Sequence, residues 1–202
     1  MFEFDHLAIS CETLPAGVDA VEAALGVRLG PGGQHPDFGT HNRLLSLGGT
    51  EYLEVIAVDP SAPPPSRPRW FDLDSFSGSP RLTNWILRCA DMGAAQATLG
   101  DEIGAPIALS RGAYRWSMAV PEDGRLPFDN IHPAVIQWQS AHPAASLEPS
   151  GCRLSALLIH HPEAEALRDR LGLTDPRFRF ETGPAGLAAV IDTPAGPRRL
   201  GG

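Results

Sequence analysis

Two ionisable side chains lie inside apolar, strand-like runs near the start of the chain. His6 alternates with apolar residues in the N-terminal run, and Glu54 is the single carboxylate of residues 52–58. Burying a carboxylate costs free energy unless it is paired, hydrogen-bonded or bound to a metal. Glu54 is therefore the most informative residue of the sequence. An ion pair with an arginine, for example Arg43, is the structural alternative to a functional role.

The other histidines show weaker signals. His35 and His132 each precede a proline in a loop, which favours a solvated side chain. His160 and His161 precede a proline and acidic residues at the start of a helix, so capping or a solvated pair is expected there. None of these four residues is predicted to carry chemistry.

The elements that must position His6 and Glu54 follow the order β-α-β-β-β. Alternation, helical spacing and punctuation by glycine predict these elements at residues 2–10, 15–25, 27–29, 43–47 and 52–58. The proline-rich stretch 59–68 cannot continue a ladder, because proline lacks the N–H donor. It is predicted to be a linker or a rigid extended loop.

The same order restarts after this stretch, and the internal repeat decides the fold. Residues 4–11 align without gaps against residues 82–89. The repeated elements are predicted at 82–89, 91–99, 107–109, 114–120 and 134–139. A third start at 153–159, with a helix at 162–171 and strands near 178–181 and 187–192, indicates a truncated third copy.

These patterns predict an α+β fold with tandem βαβββ modules. One domain covers residues 1–140, with module 1 at 1–58, a linker at 59–80 and module 2 at 81–140. Residues 151–202 are predicted to form a partial third βαββ module packed on the same domain.

Composition excludes several classes of protein. The net charge of −8 and pI near 5.3 argue against nucleic-acid binding, and no apolar run is long enough to span a membrane. Without a basic N-terminal start, a cytoplasmic protein is expected. The sequence has no GxGxxG or P-loop pattern, so no nucleotide cofactor is expected. The odd cysteine set lacks CxxC spacing and predicts buried free thiols at Cys11, Cys89 and Cys152.

Several short segments together resemble a known superfamily. They are residues 5–9 (Asp-His-Leu-Ala-Ile), 32–36, 39–42 and 52–56 in the first module, with 126–128 and 136–138 closing the second. In these segments the chain resembles the vicinal oxygen chelate superfamily, in particular its glyoxalase-like branch. The resemblance implies that the two modules curl into a half-open cup around a small-molecule site.

The resemblance also implies a ligand set. Metal-dependent members hold a divalent ion between the first and fourth strands of their modules and act as lyases, isomerases or dioxygenases. Carried onto this sequence, the metal ligands would be His6, Glu54 and His41, with Glu54 and His41 also catalytic. Zinc, iron, manganese or nickel would suit histidine and carboxylate donors. His41 is equally consistent with a surface histidine in a turn-rich segment.

The second module departs from this ligand pattern. Alignment of the modules puts Asn84 at the position of His6 and Gln137 at that of Glu54. Two strong ligands are fewer than the usual three of a catalytic zinc site. A metal-free binding or resistance-type module is therefore the alternative hypothesis, with Asn84, Gln137, Trp85 and Trp138 lining the ligand. Whether modules pair within one chain or across a homodimer stays open.

Overall fold

The computed structural model describes residues 1–201 and confirms an α+β fold, with three helices and twelve strands in two sheets. The helices are α1 Leu14–Leu25, α2 Met92–Leu99 and α3 Ala164–Leu171. The strands are β1 Glu3–Ser10, β2 Gln34–His35, β3 Thr40–Ser46, β4 Tyr52–Val58, β5 Arg81–Arg88, β6 Ala105–Arg111, β7 Tyr114–Val120, β8 Ala134–Trp138, β9 Arg153–His160, β10 Phe178–Glu181, β11 Gly186–Thr193 and β12 Gly196–Gly201. Within residues 1–201, no helix has the length and apolar character to cross a bilayer.

The first eight strands form one curved sheet in the order β2-β3-β4-β1-β5-β8-β7-β6. Each module pairs its first strand in parallel with its last, β1 with β4 and β5 with β8, and the antiparallel pair β1–β5 joins the modules. The sheet curls until its two edge strands meet, where Arg111 Nη1 of β6 lies 2.9 Å from His35 Nε2 of β2. The tandem βαβββ prediction is confirmed.

The second strand of module 1 differs from the prediction. Residues 27–29 form no strand; Gly30 makes an isolated bridge to Leu44, and the short strand β2 follows at Gln34–His35. The backbone N–H of Leu29 donates to Glu22 Oε1 at 2.9 Å, so a side chain of α1 takes the donor that a ladder would use. Local competition of this kind leaves no trace in the alternation of the sequence.

The C-terminal segment forms a separate four-stranded sheet in the order β10-β9-β11-β12. Its first strand, β9, lies between β10 and β11, whereas in module 1 the first strand pairs with the last. The segment also has one strand more than predicted, because a two-residue hairpin loop at 194–195 connects β11 to β12. The order of elements along this segment resembles that of the two modules, but the order of strands within its sheet differs from theirs.

Hydrophobic cores cover both faces of the large sheet. On the convex side, residues such as Leu7, Trp85 and Leu157 pack with the helices and the second sheet. On the concave side, the predicted linker 59–80 contributes buried residues of its own: Trp70 and Phe71 pack there, and the Trp70 ring stacks on Phe38 with centroids 4.0 Å apart. Side chains of this segment therefore fill much of the concave side of the sheet.

The two histidines expected in solvent are buried, so that prediction is wrong. His132 is fully buried and His35 is 8% exposed. His132 lies two residues before β8, where its Nδ1 bonds the carbonyl of Pro133 and its ring stacks on Phe128. A loop-like local sequence did not reveal this burial, because the covering residues come from elsewhere in the chain.

We expect Gly32→Ala to destabilise the protein by more than about 2 kcal/mol. An added Cβ would lie 1.9 Å from the backbone oxygen of Asn42, which cannot move without distorting β3. Urea denaturation measures the change. Gly186→Ala is the matched control, since the nearest atom to its Cβ lies 3.9 Å away. Equal stability of the two variants would contradict the packing described at Gly32.

Burial of His132 predicts that the folded protein loses stability in acid. Burial lowers the pKa of His132 from 6.5 to about 4, so between these values the unfolded chain binds a proton that the folded chain does not. The free energy of unfolding should therefore fall as pH drops below 6.5, by about 2 kcal/mol at pH 5 for this residue. Denaturation of wild type and His132→Asn at pH 7 and pH 5 tests this. If the free energy of unfolding of the variant fell equally steeply, His132 would be ruled out as a source of the acid sensitivity.

Candidate functional site

A small cavity of about 40 Å³ lies on the concave face of the large sheet. Its polar lining comes from both modules: His6, His35, Asn42, Tyr52, Glu54 and Arg111. Aromatic and apolar side chains complete the wall, among them Trp70, Trp116, Trp138 and Met118. This is the place where the predicted cup holds ionisable groups.

Strand register brings His6 and Glu54 together. In the parallel pair β1–β4, His6 lies beside Tyr52 and Ala8 lies beside Glu54. Successive side chains alternate between the faces of a strand, so all four residues face the concave side. His6 Nε2 lies 3.6 Å from Glu54 Oε2, and the His6 ring stacks on Tyr52 with centroids 4.3 Å apart.

Asp5 is the buried partner that orients His6. His6 donates its Nδ1–H to Asp5 Oδ1 at 2.6 Å, while Trp138 Nε1 and His142 Nε2 each donate to Asp5 Oδ2 at 3.0 Å. Neighbouring side chains of a regular strand point to opposite faces, but the β1–β5 register shifts between Phe4 and His6. This irregularity lets Asp5 and His6 meet on one side.

The charges of this cluster stabilise one another. Burial alone would lower the pKa of His6, but the hydrogen bonds and charges of Asp5 and Glu54 outweigh it and raise the pKa to about 9. Burial would raise the pKa of both carboxyls, yet bonds from His142 and His6 hold that of Asp5 well below its usual range, and His6 lowers that of Glu54. The cluster therefore contains an imidazolium between two carboxylates.

Asn42 completes the surroundings of Glu54. Its Nδ2 donates to Glu54 Oε1 at 2.5 Å, and its Oδ1 accepts the backbone N–H of Gly33 at 2.7 Å. Arg43, the ion-pair partner considered from the sequence, does not pair with Glu54. Its Nε donates instead to the carbonyl of Gly30 at 2.6 Å. Both oxygens of Glu54 are thus engaged, one by an amide and one by His6.

The structure does not bring His41 to this cluster. On β3, Asn42 and Leu44 face the concave side with Glu54, so His41 lies on the opposite face and pairs with Ala57. The alternation that places Asn42 at the site removes its neighbour from it. His41 therefore takes no part in the cluster formed by His6 and Glu54.

Of the four predicted lining residues, one lines the cavity. Trp138 does so, whereas Trp85 is buried in the convex core and donates its Nε1–H to the carbonyl of Ile131. Gln137 also faces away, where its side chain bonds Met92 N and the carbonyl of Ala90 at the start of α2. Asn84 is fully buried on the concave face but outside the cavity lining.

The register of module 2 corrects the assumed equivalences. Ala8 pairs with Asn84 and His6 with Ile86, which supports Asn84 as the counterpart of His6. Ala134 lies beside Ile86 as Glu54 lies beside Ala8, so an alanine, and not Gln137, corresponds to Glu54. The second module contributes no carboxylate at that position.

This donor set does not fit a firmly held divalent metal. Within residues 1–201, no group of three or more histidine, cysteine, aspartate or glutamate side chains is arranged to hold an ion. His6 and Glu54 are joined in the cavity by His35, whose Nε2 faces the Arg111 guanidinium. His6 and Glu54 are only two ligands, which is fewer than the three protein ligands of a catalytic zinc site, and each is already paired with the other.

Sequence reasoning missed Arg111, Trp70, Asn42 and His35 as residues of this site. The pair Gly32-Gly33 is the one local signal, since a Cβ on Gly33 would lie 2.7 Å from Arg111 Cδ. Glycine there allows the arginine of the opposite sheet edge to approach the backbone. The identity of that arginine depends on the curvature of the sheet, which no local pattern encodes.

Replacing Asp5 tests the buried cluster. Asp5→Asn removes the charge that faces His6 and should lower the free energy of unfolding by about 3 kcal/mol, because a buried ion pair loses one partner. Asp19→Asn, at an exposed position of α1, is the matched control and should be nearly neutral. Chemical denaturation at pH 7 measures both, and a neutral Asp5→Asn would show that the cluster contributes little.

A family profile and a solved structure agree with this architecture. The profile of the glyoxalase-like domain family matches residues 4–173. A hypothetical protein from Staphylococcus aureus shares the fold at 15% identity, with a TM-score of 0.63 over 92% of this chain and 87% of that one. Methylmalonyl-CoA epimerase from Mycobacterium tuberculosis aligns at 17% identity over 71% and 91% of the two chains, with a TM-score of 0.46. No curated protein matches the sequence.

The family match covers most of the chain, and the strand order of the large sheet is that of two paired βαβββ modules. The chain therefore belongs to the glyoxalase-like domain family, within the vicinal oxygen chelate superfamily.

Proposed function

We propose that the protein binds a small molecule in the concave cavity without a divalent metal. The observation that carries this proposal is the donor set. His6 and Glu54 face one another at 3.6 Å, and module 2 offers Asn84 and Ala134 at the corresponding positions. The imidazolium of His6 and the carboxylate of Glu54 already compensate each other's charge, so neither requires a metal ion.

The electrostatics favour binding over proton transfer. A general acid or base works best with a pKa near the working pH. Here the pKa of His6 is raised to about 9 and that of Glu54 is lowered, so both groups are held in their charged forms. Such a pair suits fixed hydrogen bonding to a polar ligand.

The volume of the cavity limits the ligand. At about 40 Å³ it has room for about three water molecules, at 10–15 Å³ each. Trp70 and Phe71 occupy the rest of the concave face. The proposed ligand therefore has few non-hydrogen atoms, unless these two aromatic residues move.

A metal-dependent lyase, isomerase or dioxygenase is the second candidate. The observation in its favour is that His6 and Glu54, one on β1 and one on β4, meet on the concave side as the superfamily resemblance implies. Zinc, iron, manganese or nickel would be the expected ions. Metal content separates the two candidates.

The test uses protein purified without chelator or affinity tag, analysed by elemental mass spectrometry beside His6→Ala and Glu54→Gln. We expect substoichiometric metal in all three proteins and no thermal stabilisation by added Zn²⁺, Mn²⁺, Fe²⁺ or Ni²⁺. Controls are His160→Ala and Glu122→Gln, at positions outside the cavity lining. Near-stoichiometric metal in wild type and controls, lost in both site variants, would establish the metal-dependent enzyme instead.

A further inference from the structure

Arg111 presents an unneutralised guanidinium at the wall of the cavity. It ends the edge strand β6 and is half-buried, and within residues 1–201 no carboxylate lies within 4.0 Å of it. Its hydrogen bond goes from Nη1 to His35 Nε2 at 2.9 Å. Among residues 1–201, the remaining N–H donors of the planar fork have no acceptor.

His35 cannot neutralise that charge. Its Nε2 accepts from Arg111, so its proton lies on Nδ1, which bonds Thr40 Oγ1 at 3.2 Å. Burial, reinforced by the positive charge of Arg111, lowers the pKa of His35 to about 4, which keeps the imidazole neutral. Glu54, the carboxylate among the cavity-lining residues, is already engaged by Asn42 and His6.

A second unused donor lies beside His35. Trp70 is 4% exposed, and its indole Nε1 is buried without an acceptor among residues 1–201. The rings of Trp70 and His35 meet edge to face with centroids 5.1 Å apart. A buried N–H without an acceptor is unfavourable, and an acceptor supplied by a ligand would remove that penalty.

We infer that the ligand of this cavity is a small carboxylic acid, whose carboxylate binds Arg111 and accepts from Trp70. The inference rests on the proposed binding function and names its ligand class. A guanidinium matches a carboxylate with two parallel hydrogen bonds, and Gly33 leaves the space in which the arginine side chain lies. The small volume restricts the rest of the molecule to a few atoms.

The test compares acids with their neutral amides. Formate and acetate, with formamide and acetamide as their uncharged counterparts and inorganic phosphate as a tetrahedral anion, are titrated into the full chain. Binding is followed by calorimetry and by the fluorescence of the tryptophans at the cavity. We expect the acids to bind at least about tenfold more tightly than the amides and than phosphate, as a charged hydrogen-bonded pair would produce.

Variants identify the group that recognises the carboxylate. Arg111→Met should weaken acid binding at least about tenfold, and Arg111→Lys should restore it in part, because lysine keeps the charge without the planar fork. Gly33→Ala displaces the arginine without removing it and should also weaken binding. Arg115→Met is the matched control, since Arg115 is exposed and bonds backbone carbonyls of its own hairpin.

Equal binding of acids and amides, or unchanged acid binding in both Arg111→Met and Gly33→Ala, would overturn the inference while leaving metal-free binding intact. Tighter binding of phosphate than of either acid would also overturn it. Stoichiometric metal in the purified protein would instead defeat the proposed function. The metal analysis therefore tests the proposed function, and the titration separately tests the ligand class.

Discussion

The carboxylate of Asp5 is fully buried where the two modules meet, and a buried charge must be compensated. It accepts from His6 on the same strand, from Trp138 at the end of module 2 and from His142 in the segment that follows. One side chain therefore connects the N-terminal strand to Trp138 and His142, which lie 133 and 137 residues further along the chain. It also holds His6 with its second nitrogen toward Glu54, which defines the chemistry of the cavity.

The concave face shows how the protein stabilises a cup that holds polar groups. The segment between the modules inserts Trp70 and Phe71, and Phe71 and Asp72 adopt positive φ angles of 61° and 54°. Such angles cost about 1–3 kcal/mol each outside glycine. Stacking of Trp70 on Phe38 and burial of apolar surface offset this cost. The concave side is consequently packed without help from a ligand, and only a small volume remains.

Closure of the sheet depends on contact between its two edges. The edge strands β2 and β6 belong to different modules, and they meet through Arg111 and His35. An exposed strand edge is a site for unwanted pairing, and curling the sheet until its edges meet reduces that exposure. The same contact brings the guanidinium to the cavity, so closure of the fold and the proposed recognition of a carboxylate depend on one residue.

Local patterns predicted the element order of the two modules apart from the position of the second strand, and the superfamily resemblance implied that His6 and Glu54 meet. Alternation is a local property with a period of two, so the face of each side chain within a strand could be predicted, and the pairing of first and last strands followed from the resemblance. Tertiary structure decided the rest: Ala134 rather than Gln137 opposite Glu54, His41 on the far face, the burial of His132, and Arg111 at the cavity. Register, irregularities and sheet curvature arise from contacts between distant segments, and a local pattern contains no information about which segments will meet.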